Sequence, residues 1–155
     1  MANPRLVFCK CALTLAGLVC ALWSMFIPRV QGDAPAGHFT VVRETVEDSR
    51  TGLTWQQTVP DKRYSWAEAT AYCASLDLRG QGWRLPTVKE LYTLVDETRM
   101  SPALDTTAFP EALVDYYWSG SLLASFTVDA WAVSFDFGFD SWFDVGTKQR
   151  ARCVR

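Results

Sequence analysis

The chain has 155 residues, a net charge of −2 and 49% hydrophobic residues, which is enough for one compact domain. Beyond residue 32 lie twelve Lys and Arg against seventeen Asp and Glu, a net of −5. That acidic balance, with no basic run, excludes nucleic acid and anionic membrane as main partners, since both are bound largely through Lys and Arg.

Residues 1–32 read as a cleaved export signal. Arg5 and Lys10 form a basic start, the run from Cys11 to Ile27 is almost wholly apolar, and Pro28, Arg29, Gln31 and Gly32 follow. Cleavage after Gly32 or Ala36 satisfies the need for small residues. An uncleaved anchor is the alternative, although about 17 apolar residues is short for the ~20 of a spanning helix. Lipidation at Cys20 is weaker still, because Val19 stands where a small residue is wanted. Loss of the leader removes Cys9, Cys11 and Cys20. The exported remainder then holds Cys73 and Cys153, which can form one long-range disulfide. No stable membrane insertion is expected after cleavage.

Residues 33–45 are read as a polar tail, ending at His38, followed by a first strand over residues 39–42. Residues 48–52 (Asp, Ser, Arg, Thr, Gly) are turn formers, and Leu53, Thr54 and Trp55 alternate as a returning strand would, giving a hairpin. Two helix starts follow. Ser65 with Glu68, and Thr87 with Glu90, both fit a capping box, in which hydroxyl and carboxylate cap each other's backbone N–H. The first helix is expected to reach about Leu76, with Ala69, Tyr72, Cys73 and Leu76 on its inner face. The second is expected over residues 88–95.

Pro86 keeps the approach to the second helix extended. Residues 99–115 show no period and are expected as a long ordered loop, with a helical turn near residues 111–114. Three strands are expected at residues 116–119, 130–135 and 151–155. Between the last two lies an acidic, aromatic segment, residues 136–144, read as a loop. The elements together define an α+β domain: two helices packed on a mostly antiparallel sheet, with long loops.

Five motifs in order (Thr51-Gly52-Leu53-Thr54-Trp55; Trp66-Ala67-Glu68-Ala69; Trp83-Arg84-Leu85-Pro86-Thr87 with Glu90-Leu91; Tyr117-Trp118-Ser119; Arg152-Cys153-Val154-Arg155) closely resemble the DUF1566 family, also called the Lcl C-terminal domain. The resemblance covers about residues 46–155. It implies an exported bacterial module with a C-type-lectin-like fold, periplasmic or at the cell surface, and an adhesive, glycan-binding role like that of the collagen-like adhesin for which the family is named. It also implies a disulfide between the first helix and the last strand, hence Cys73 to Cys153. Trp83, Arg84, Leu85, Pro86, Thr87 and Trp118 stand as structural motif residues. The chain departs from sugar-binding lectins of that fold in having no Asn after residue 32, so their calcium site is absent. Formylglycine-generating enzymes share the Arg-Leu-Pro-Thr string but need reactive cysteines, and both cysteines here are committed to the bridge.

The catalytic inventory is thin. His38 is the one histidine, so a serine triad or a His-based zinc site lacks its parts. No cofactor or metal is expected. Asp129, Asp136, Asp140 and Asp144 could offer oxygen ligands to calcium, though their spacing fits no EF-hand, and two of Asp136, Asp140 and Asp144 could act as an acid–base pair. Arg84 is expected to pin its loop by bonding backbone carbonyls, and Trp83, Trp118 and Trp131 are expected in the core. Phe137, Phe139, Asp140, Trp142, Phe143 and Asp144 are the candidate ligand-binding set, an aromatic platform rimmed by acids for a glycan or protein surface. The function expected is a non-catalytic binding module. A self-associating envelope protein is the alternative, with a homo-oligomer as its form, and a carboxylate-dependent hydrolase is the weaker one.

Overall fold

A computed structural model describes residues 37–155; the leader and its cleavage site lie outside the described residues. The architecture is α+β, with two separate antiparallel three-stranded sheets and two short helices. The first sheet joins β1 (Phe39–Val42), β2 (Thr45–Asp48) and β3 (Thr54–Gln56) in chain order. The β2–β3 hairpin turns on buried Asp48, whose carboxylate accepts from the Arg50 N–H at 2.9 Å and the Thr51 hydroxyl at 2.6 Å. Its carbonyl accepts from Gly52, which takes the left-handed φ of 73° that a glycine adopts without strain. The tail is shorter than expected: the His38 carbonyl already accepts from the Ser49 N–H and hydroxyl.

Helix α1 (Trp66–Ala74) and helix α2 (Val88–Tyr92) both begin with complete capping boxes, at Ser65/Glu68 and Thr87/Glu90. Both end earlier than the apolar periodicity suggests. Leu94 is nevertheless buried, carried by turns that bond Leu94 N–H to the Leu91 carbonyl. Arg84 binds mainly the α2 capping carboxylate: its Nη1 and Nη2 reach the two Glu90 oxygens at 2.8 and 2.7 Å, with one weaker bond to the Leu85 carbonyl. This bidentate pair fixes the 83–87 segment to the helix it introduces. Residues 111–114 form no helix.

The second sheet joins β4 (Tyr116–Leu123), β5 (Phe126–Ser134) and β6 (Asp140–Asp144). Two expectations change here. Most of the segment read as a loop is strand β6, because a tight turn at residues 135–139 returns the chain directly along β5. The expected last strand, residues 151–155, instead makes isolated bridges, Val154 meeting both Trp55 and Arg84. It thereby ties the first sheet to the 83–87 segment. β4 and β5 also run further than the expected 116–119 and 130–135, to a hairpin tip that exposes Leu122, Phe126 and Val128.

Two apolar clusters flank the second sheet. One gathers Val46, Trp55, Leu91, Leu94, Phe109, Tyr117, Val133 and Phe135. The other gathers Tyr64, Ala69, Cys73, Trp83, Trp118, Ala130, Ala132 and Cys153. Cys73 and Cys153 form a disulfide with Cα atoms 5.4 Å apart, joining α1 to the final segment across 80 residues. Trp118 is fully buried and its indole N–H donates to the Tyr64 carbonyl at 2.8 Å. Arg152 is buried as well. Its Nη1 donates to the Gln56 and Gln57 carbonyls at 2.7 and 2.6 Å, and its guanidinium lies 4.6 Å from the Phe109 ring centroid. Burial pulls its pKa below the usual arginine range.

Candidate functional site

The site is built by the β5–β6 hairpin. Gly138 takes φ = 79°, and a Cβ there would stand 2.6 Å from Val95 Cγ1, so the turn packs this closely on the segment that follows α2 because the residue is glycine. Bonds from Gly138 N–H to the Ser134 carbonyl and from Ser134 N–H to the Phe139 carbonyl close the turn and set the register. That register pairs Asp129 with Asp144, Ala130 with Phe143, Trp131 with Trp142, Ala132 with Ser141 and Val133 with Asp140.

Alternation then divides the candidate ligand-binding set between two faces. Phe139 and Phe143 share one face, with Tyr116 between them: its ring lies 6.1 Å from Phe139 and 4.9 Å from Phe143, both edge-on. Phe143 is half-buried, edge-on to Trp118, and belongs to the disulfide-side core; it is a correction to the expected contact set. Phe139 and Phe137 are exposed at the end of that row and stack on each other with centroids 6.1 Å apart. Asp140, Trp142 and Asp144 lie on the opposite face. A single platform of all six residues does not exist.

On that second face Trp142 is 54% exposed, directly across from half-buried Trp131. The hydrogen bonds at Ser134–Phe139 and from Val145 N–H to the Val128 carbonyl place Trp131/Trp142 and Asp129/Asp144 at non-hydrogen-bonded positions, where facing side chains approach most closely. Trp131 and Trp142 are therefore cross-strand neighbours on one face of the sheet, and Asp129 and Asp144 are the next such pair along it. At the other end Asp140 accepts from the Tyr92 hydroxyl of α2. Burial and that neighbouring carboxylate push the Tyr92 phenol up to about 12.

The structure thus brings Trp131, Trp142, Asp129 and Asp144 together. Trp131 was expected in the core, and Asp129 only as a metal ligand. Both would have been found from the sequence by folding the chain back about the midpoint between Asp136 and Phe137, once the turn was recognised. Trp83 and Trp118 are core, as expected of them. Asp136 sits in the turn, accepting from the Ser101 hydroxyl, away from the other three aspartates in the pairing scheme. Among the described residues no group of three or more His, Cys, Asp or Glu side chains is placed to hold a metal ion. His38 lies at the start of β1 with its ring on Phe39. A separate cleft of about 600 Å³ is lined by Glu44, Gln56, Thr58, Tyr72, Leu76 and Glu111 among others.

The structure is that of a small α+β domain with one disulfide between its first helix and its last segment and an aromatic, acidic face on its second sheet. The family model of the Lcl C-terminal domain matches residues 44–155, and the chain belongs to that family. No curated protein matches the sequence.

Proposed function

We propose that the chain is an exported, non-catalytic binding module of C-type-lectin-like fold that works in the periplasm or at the cell surface. The observation that carries the reading is Trp142, 54% exposed, with half-buried Trp131 as its cross-strand neighbour on one face of the second sheet. A solvent-facing tryptophan costs solubility, and its flat amphipathic ring is suited to stacking on a sugar or on an apolar group of a partner. The disulfide supports an oxidising compartment, and no helix among the described residues is long and apolar enough to cross a membrane.

The test is binding of the full chain to a glycan array and to immobilised envelope proteins, with Trp142→Ala measured alongside. The reading expects a ligand whose binding falls at least tenfold in Trp142→Ala, with thermal stability nearly unchanged. Ligands that bind the variant and the parent equally would overturn it.

A further inference from the structure

The edge of β6 carries an additional feature. Among the described residues β6 pairs only with β5, and residues 139, 141, 143 and 145 turn their backbone groups toward it. Residues 140, 142 and 144 therefore direct theirs outward. The Asp144 carbonyl is taken by the Thr147 N–H and hydroxyl, which closes one end. The N–H and C=O of Trp142 have no partner among the described residues. An open strand edge thus runs beside an exposed tryptophan, between Asp140 and Asp144.

Charge decides what can occupy it. Asp129 and Asp144 are cross-strand partners, a placement that disfavours like charges, and Asp144 Oδ1 also accepts from the Gly146 N–H at 2.8 Å. Neither these two nor Asp140 forms an ion pair among the described residues. A second copy is a poor occupant: antiparallel pairing of two β6 edges about Trp142 would set Asp140 of each opposite Asp144 of the other. An extended chain bearing Lys or Arg meets every element at once. Its backbone completes the edge, its cations sit between the carboxylates and over the indoles, and the opposed Asp129/Asp144 pair gains its missing counter-charge.

We propose that β6 is an acceptor edge for an extended basic segment of a partner protein, which adds as a fourth strand and places a Lys or Arg side chain against Trp131, Trp142, Asp129 and Asp144. This rests on the binding-module reading and names the partner class for the same face.

The probe is a fluorescein-labelled peptide alternating Lys and Val over six residues, titrated with the full chain and read by anisotropy at 50 and 300 mM NaCl. Controls are the Glu–Val peptide and a Lys–Val peptide N-methylated on alternate residues. Expected are saturable binding of the Lys–Val peptide, weakened at least tenfold by the higher salt, by Trp142→Ala and by the Asp129→Asn/Asp144→Asn pair, and lost on N-methylation. Because Asp→Asn relieves repulsion, that pair should keep or raise the melting temperature. No binding, equal binding of the N-methylated peptide, or insensitivity to Asp129→Asn/Asp144→Asn would overturn the inference. So would a dimer in sedimentation that Trp142→Ala dissociates, since a second copy would then hold the edge. A neutral glycan that loses binding on Trp142→Ala, with no peptide binding, overturns this inference while the binding-module reading stands. If no ligand of any kind responds to Trp142→Ala, both fail.

Discussion

Removing the Cys73–Cys153 bond tests how this small domain is held together. The bridge closes an 80-residue span, and the chain-entropy relation assigns such a loop about 4.5 kcal/mol of unfolded-state constraint. With roughly 2.1 cal/mol/K of unfolding entropy per residue over about 119 residues, that loss corresponds to a melting point lower by about 18 °C. Both sulfurs are buried in the same cluster as Trp118 and Ala69, so Cys73→Ala/Cys153→Ala should add a small cavity cost to the entropic one. The assay is urea unfolding and calorimetry of the parent, the double variant and the parent under reductant. Native protein should resist reduction until it opens, because neither cysteine reaches solvent. A stability loss under about 1 kcal/mol, or rapid thiol labelling of the native protein, would refute the reasoning.

Gly138→Ala forces a Cβ against Val95 at positive φ, so it should cost about 2 kcal/mol or more and disturb the β5–β6 register; a neutral melting curve would contradict the turn geometry. Arg152→Ala leaves two carbonyls without their donor and a cavity beside Phe109, with an expected loss above about 3 kcal/mol in urea titration. Acid should destabilise the fold between pH 4.5 and 2. Bonds from Arg84 to Glu90, and from Lys148 to Glu68, hold both carboxyls down at about 2, so the stabilisation is complete above the unfolded pKa and is lost as pH falls through the folded one. Glu90→Gln should flatten the stability–pH curve in that window, and an unchanged slope would show that the pair carries no such linkage. Ser65→Ala should cost about 1 kcal/mol by removing the α1 cap, measured by the same titration.

What was legible in the sequence was local chemistry. Ser65/Glu68 and Thr87/Glu90 announce helix starts because capping needs only neighbours in the chain, and Asp48 with Gly52 announces a turn for the same reason. The ends of α1 and α2 were not legible, since tertiary contacts of Leu76 and Leu94 bury those side chains without helical backbone. β6 was missed because Gly138 and three aspartates within nine residues read as loop formers. Its strand geometry comes from pairing with β5, a non-local contact. The candidate site follows the same division. The exposure of Trp142 was anticipated from composition alone, whereas its placement opposite Trp131, and that of Asp144 opposite Asp129, depend on a register that local signals do not carry.

The central claim is that ligand contact falls on the Trp131/Trp142 face. It is tested most directly by following the indole N–H resonances of the full chain during titration with a ligand that binds it. The account predicts that the Trp131 and Trp142 signals move together while those of Trp55, Trp83 and Trp118, all buried, hold still. Movement at other indoles, with Trp131 and Trp142 unperturbed at saturation, would contradict it.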